Sequence, residues 1–346
     1  MAAMPGIWHA ARAGRLLAGV LRRRSPRGVV LLYHRIAGPR RDPQLLNVSP
    51  ANFESHLAML AKVAVPLPLV EFEALRRAGT LPHRAVAVTL DDGYADSLLA
   101  AAPLLGRHGV PATVFVTAGM TGTGREFWWD DAERIAFAPR RLEPPPPGLP
   151  IAWSAADGVA LPAGSTNDRW SITERVDPTP RHRLYRAICE ALYPLDTPAR
   201  EARVHALREW AGVEERARPT HRALALDELR ALAASPGMTI GAHTMTHPAL
   251  ALLPPAAQRR ELEASRATLE RELGTGVRVV AYPFGTRADV SRHTLRAARA
   301  AGFDFAMANE PGAAWRWSSR WRVPRHVVGD WDADTLGARL ESWLAA

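Results

Sequence analysis

Two adjacent carboxylates, Asp91 and Asp92, follow the apolar run VAVTL, and a histidine pair, His243 and His247, follows GMTIGA. Two imidazoles and one carboxylate leave coordination positions for water, which is the ligand count of a catalytic rather than a structural divalent site. An ion held there lowers the pKa of a bound water toward about 7 and polarises a carbonyl oxygen. A second carboxylate beside the ligating one then has a separate task, taking a proton from that water. Plainer readings exist for each piece. Asp and Gly are ordinary turn residues, so DDG alone could be a polar turn. The histidine pair lacks the glutamate of an H-E-x-x-H zinc helix and could be structural. Two further clusters also end apolar runs: Tyr33-His34-Arg35 and Tyr282-Pro283-Phe284-Gly285.

These groups can meet only if the runs before them are neighbouring strands. The runs at 28–33, 85–90 and 112–117 alternate with helical patterns, and the alternation resumes after residue 221 through GMTIGAH, VRVVAYPF and FDFAMA. Such alternation predicts a parallel sheet with crossover helices, whose sites lie at the carboxyl ends of the strands. Ser49 before Pro50 predicts a helix start, and Gly109 and Gly274 predict helix stops. Between the halves, residues 121–220 carry the Pro-rich EPPPPGLP, several tryptophans and helical patterns but no alternation. The expected organisation is a basic N-terminal segment (1–27), two barrel parts (28–120 and 221–346) and a long, mostly helical or irregular insertion (121–220) covering the cleft.

The bulk numbers exclude several classes. With 346 residues, 47% hydrophobic and 23% charged, the chain is globular. The +9 charge is carried almost wholly by arginine, Lys62 being the only lysine, and no basic cluster is interleaved with aromatics, so no nucleic-acid partner is expected. The single Cys189 excludes an internal disulfide and a Cys-rich metal site, and its apolar-periodic surroundings predict core filling. No run approaches the 18 apolar residues of a membrane span, and the N-terminal RLLAGVLRRR is short for a signal peptide. The expectation is therefore cytoplasmic. Peripheral membrane contact through the basic segment 7–24 is the alternative.

TLDDG, HTMTH and YPFG, in this order and at these strand ends, resemble the motifs of the polysaccharide deacetylases, the NodB-homology family or carbohydrate esterase family 4. The resemblance implies a distorted (β/α)7-type barrel and metal-dependent removal of N-acetyl, sometimes O-acetyl, groups from sugars. It makes Asp91 the general base and Asp92, His243 and His247 the ligands of a divalent metal, foremost zinc, with cobalt, nickel or iron as alternatives. It also places the oxyanion donor at the Phe284 N–H, with Pro283 and Tyr282 beside it.

Departures accompany the match. Many members carry an arginine two residues before the motif proline that bonds the base; here that place is Ala281, so orientation of Asp91 must come from elsewhere. The late acid motif is replaced by RVPRHVV, which leaves His326 as a candidate acid. LLYHRI, however, is similar to the Tyr-His motif of the poly-N-acetylglucosamine subgroup, and on that resemblance His34 is the general acid. In the insertion, Trp129 and Asp130, next to Trp128 and Asp131, could contact a sugar or anchor the insertion, while Trp315, Trp317 and Trp321 are expected to pack. The expected substrate is an acetylated aminosugar, lipid-linked or part of a cell-envelope glycan, and the insertion would favour a short one. Hydrolysis of another, ureide-like amide and non-catalytic carbohydrate binding are the alternatives.

Overall fold

Alternation along the buried strands sets the architecture. The computed structural model describes residues 26–345 apart from Arg40, Ala155 and 161–165, so the basic segment 7–24 lies outside the described residues. The chain runs through β1 (Arg27–Tyr33), β2 (Arg35–Ile36), β3 (Asn47–Val48), α1 (Pro50–Val63), β4 (Val65–Pro66), α2 (Leu69–Ala78), β5 (Ala85–Leu90), α3 (Ala102–His108) and β6 (Ala112–Val116). Three helices follow, α4 (Trp128–Ala136), α5 (Pro180–Leu192) and α6 (Thr197–Ala211). The second half comprises α7 (Leu226–Ala234), β7 (Met238–Ala242), α8 (Pro255–Leu273), β8 (Val279–Ala281), α9 (Arg292–Ala300), β9 (Phe305–Met307), β10 (Ala314–Trp315), β11 (His326–Val327) and α10 (Ala333–Ala345).

The parallel order is β1-β5-β6-β7-β8-β9, and the segment 323–327 joins the two edges. Val323 bridges to Met307 of β9, while His326 and Val327 pair with Leu31 and Leu32 of β1. The result is a distorted (β/α)7-type barrel. Because both faces of the central strands are covered, β5 and β6 are buried along their whole length and β1 from Gly28 onward, while β7 exposes only Thr239. Period-2 alternation sorts them: Val29, Leu31, Tyr33, Val86, Val88 and Leu90 pack under the helices, whereas Val30, Ala85, Ala87, Phe115, Ala281 and Val323 fill the interior.

Helix ends follow local chemistry. The Ser49 hydroxyl accepts from the Asn52 N–H with Pro50 in the first turn, and Gly109 and Gly274 end their helices in the left-handed region. A π-turn, Ser97–Ala101, leads into α3, and its Ser97 carbonyl accepts from the Ala102 N–H. Pro103, lacking an N–H, removes the regular bond to Leu99. Helices α4 to α6 share an apolar cluster of their own, with Ile135, Leu184, Ile188, Leu192 and Leu207 at its centre and Cys189 within it. Among the late tryptophans Trp321 packs on the core, but Trp317 is 64% exposed, so the packing expectation fails there. Among the described residues no helix is long and apolar enough to cross a membrane.

Candidate active site

At the carboxyl end of the barrel a cavity of about 570 Å³ opens between the strand ends and the first turn of α4. Its floor holds His34, Asp91, Asp92, His243 and His247 together. Register explains most of this. Tyr33 pairs with Leu90, and the Asp91 N–H donates to the Tyr33 carbonyl (2.9 Å), so His34 and Asp91 are the next residues on neighbouring strands. Tyr33 and Leu90 face the helices, and alternation turns His34 and Asp91 inward.

Asp92 breaks the alternation. It should face outward with Leu90, but its φ of 75° and a three-residue turn closed by the Gly93 N–H on the Asp91 carbonyl (3.0 Å) bring it back to the site. Gly93 is left-handed too, at φ 84°, but Asp92 itself takes the strain that a side chain brings to this region. Thr244 (φ 64°), His247 (58°) and Phe284 (57°) are likewise left-handed non-glycine residues. Such conformations cost about 1–3 kcal/mol each and persist where surrounding structure imposes them. Here Glu261 of α8 is one of those constraints, accepting from the Met245 N–H, the Thr246 N–H and the Thr246 hydroxyl at 2.7–2.9 Å.

One oxygen of Asp92 and a nitrogen from each histidine lie within 4.8 Å of one another. His243 Nε2 and His247 Nε2 stand 3.5 and 3.3 Å from Asp92 Oδ1. His243 donates through Nδ1 to the Ala281 carbonyl (2.8 Å), which fixes its tautomer and leaves Nε2 free to ligate. These residues therefore fit a divalent ion. Burial raises the Asp92 carboxyl's pKa, but hydrogen bonds from the two imidazoles outweigh it and hold the group well below the carboxylate range. Burial draws His247 down to about 4.

Asp91 is oriented by a residue that sequence reasoning missed. Arg325, fully buried on the closing segment, forms a bidentate pair with Asp91 at 2.7 and 2.7 Å and also bonds the Ala308 carbonyl and the Thr89 hydroxyl. Such fork-to-carboxylate pairs are the strong, geometrically specific ones. Burial pushes the Asp91 carboxyl up, yet the Arg325 guanidinium, with His243 and His34, holds it below its ordinary value. The signal was present in RVPRHVV beside the empty arginine place at Ala281.

The neighbouring His326 is not brought to the site. It faces the helices, its ring stacked on Trp343 at 4.1 Å, and its Nε2 accepts from the Gly312 N–H (3.2 Å). Asp130 is likewise turned away: it accepts from the Tyr94 hydroxyl (2.6 Å), does not line the cavity, and is pushed by burial up to about 8. Trp129 both anchors and lines, donating to the Tyr94 hydroxyl (2.8 Å) while its ring sits 4.7 Å from that of His247. Phe284 and Tyr282 line the cavity, although the Tyr282 ring belongs to the core under the helices, and Pro283 does not line it. Among the described residues the Phe284 N–H has no hydrogen-bond acceptor, while the Gly285 N–H donates to the Pro283 carbonyl.

The family model for polysaccharide deacetylase matches residues 78–142 and 186–306, more than half of the chain. The chain belongs to the polysaccharide deacetylase family. The family match breaks over 143–185, which contains the Pro-rich stretch. A Bacillus subtilis relative named for the same family, YxkH, is 29% identical over 107 residues, 31% of this chain and 37% of that protein; the match thus spans little more than a third of the relative's length. In fold the family member is similar to the Streptococcus pyogenes deacetylase PplD (TM-score 0.58, 16% identity, 91% of this chain and 99% of that one). It is also similar to IcaB from Ammonifex degensii (TM-score 0.56, 18% identity, 93% and 98%).

Proposed function

We propose that this family member is a metal-dependent hydrolase that removes N-acetyl groups from an aminosugar-containing glycan or glycoconjugate. The observation that carries the reading is the pairing of a three-residue ligand cluster with a separate carboxylate, Asp91, which ligand duty does not require and which Arg325 holds ionised beside it. When bound, a divalent ion, foremost zinc, supplies Lewis-acid polarisation of the acyl oxygen and a more acidic water. Asp91, ionised at neutral pH, accepts the proton of the attacking water. The Phe284 N–H, free of an internal acceptor, donates to the oxygen on which negative charge develops, a contribution of about 3–4 kcal/mol for such donors. His34, on the strand beside Asp91, gives a proton to the leaving amine.

Substrate choice follows the walls. Trp128, Trp129 and Thr173 of the inserted region face Leu45 and Phe284 across the cavity, which favours a short glycan, a lipid-linked sugar or a nucleotide sugar over a long polymer. Acetate release should be measured on acetylated aminosugars of increasing length with added zinc, cobalt or nickel. Turnover on short saccharides that disappears with a chelator is expected. Greater activity on long polymer contradicts the short-substrate reading, and no release from any of them contradicts the deacetylase reading.

A further inference from the structure

Every polar group of Thr246, the residue before His247, is held from outside its own loop. From the barrel, Glu261 accepts its N–H (2.9 Å) and its hydroxyl hydrogen (2.7 Å). From the other side, α6 supplies the remaining partners: Arg200 Nη2 donates to the Thr246 carbonyl (2.9 Å), and the Thr197 hydroxyl lies 2.6 Å from that of Thr246. Because Thr246 spends its one hydroxyl hydrogen on Glu261, Thr197 is the donor in that contact. Arg200 is only 3% exposed, and Glu261, Glu201 and Asp196 balance its charge. Thr246 precedes a left-handed His247 (φ 58°), a conformation that persists only where its surroundings impose it.

Four residues before Thr197, the same corner of the chain reaches the next strand end. Tyr193 closes α5, and its ring stands edge-on to that of Phe284 at 4.9 Å. Its hydroxyl donates to Asp289, whose other oxygen accepts the Thr286 N–H (3.0 Å) and the Thr286 hydroxyl. Phe284 is also left-handed, at φ 57°. The corner itself is short and stiff. Pro194 follows Tyr193, and Asp196 caps α6 by accepting from the Ala199 N–H (3.0 Å). Leu192 and Leu195 seat it on the apolar cluster shared by α4 to α6. None of Tyr193, Thr197 and Arg200 lines the active-site cavity.

We propose that this corner, residues 193–200, positions two working loops at once: Thr197 and Arg200 hold the loop that carries His247, and Tyr193 holds the loop that presents the Phe284 N–H. All three are positioning residues. What the loops do once held, ligating an ion and donating to an oxyanion, rests on the function proposed above. Partners that orient a metal ligand typically govern about 10–100-fold in metal affinity. A donor used only in the transition state acts on kcat instead.

The test reads hydrogen exchange by mass spectrometry in the metal-free full chain, then zinc affinity and kinetics, for Thr197→Val, Arg200→Gln and Tyr193→Phe. Exchange should quicken severalfold over 244–247 in the two α6 variants and over 284–289 in Tyr193→Phe, with β5 and β6 unchanged. Zinc affinity should fall about tenfold in Arg200→Gln and severalfold in Thr197→Val, with Thr197→Ser restoring it. Tyr193→Phe should bind zinc normally and lose kcat severalfold at unchanged KM. Should Arg200→Gln not fold, Thr197→Val, a shape-conserving change at a half-buried position, decides. The proposal is overturned if either loop exchanges as in the wild type, or if β5 and β6 loosen equally, the mark of a general loss of stability. Loosened loops in a protein that neither binds zinc nor deacetylates an aminosugar would support the corner's role and remove the function proposed above; an active zinc enzyme with unmoved loops would do the reverse.

Discussion

Two pairs of adjacent polar residues stand at strand ends of this barrel, and they behave differently. Asp91-Asp92 at the end of β5 sends both side chains into the site, whereas Arg325-His326 on the closing segment sends one in and one out. The second pair obeys the alternation of an extended strand. The first escapes it because the chain has already left the strand, with Asp92 left-handed and the Gly93 N–H closing a three-residue turn. Adjacency in sequence therefore gives adjacency at a site only where the backbone spends strain on it, and a regular strand separates its neighbours instead.

The comparison can be broken most severely at Asp91. Asp91→Asn should lower kcat by about 10²–10⁴, the usual worth of a positioned general base, with bound metal unchanged by elemental analysis. Arg325→Met comes next. It strands Asp91 as an unpaired buried carboxylate and should cost about 3–5 kcal/mol in denaturant unfolding, with a fall in kcat. The double variant Asp91→Asn/Arg325→Met should regain much of the stability and none of the activity, and a double variant no more stable than the single would show that the two do not act as a pair. Acid titration sharpens the same point. The folded pKa of Asp91 is depressed, so the pair's stabilisation is complete above the ordinary carboxylate value of about 4 and is lost as pH falls through the lowered folded value. Acid unfolding monitored by circular dichroism should therefore be shallower in the double variant.

Smaller effects test the turn and the outward-facing partner. A Cβ at residue 93 would sit 3.1 Å from Val116 Cγ1 at a φ that side chains avoid, so Gly93→Ala should cost about 1–3 kcal/mol and reduce metal affinity through Asp92. His326→Asn should change kcat less than about threefold while losing about 1 kcal/mol of stacking on Trp343. A large loss of activity in His326→Asn with intact folding would restore that residue as the acid.

Much of this was legible beforehand, and the failures share a cause. Alternating runs gave the parallel strands, Ser49 and Gly109 marked helix ends, and Asp91, Asp92, His243, His247 and His34 do converge in one cavity. Arg325 and Glu261 were missed because their roles depend on which face of a distant element meets the site, a tertiary fact with no local periodicity of its own. His326 and Asp130 were drawn toward the chemistry by their neighbours in sequence, but strand alternation in one case and the hydrogen bond to Tyr94 in the other turn them away. The π-turn before α3 was readable in principle from Pro103, whose missing N–H disturbs the preceding ladder.

The division of labour between Asp91 and Asp92 is tested most directly by measuring metal content and acetate release together in the wild type, Asp91→Asn and Asp92→Asn. The account predicts full metal and almost no turnover in Asp91→Asn, and loss of both metal and turnover in Asp92→Asn. Undiminished acetate release by metal-loaded Asp91→Asn would contradict it.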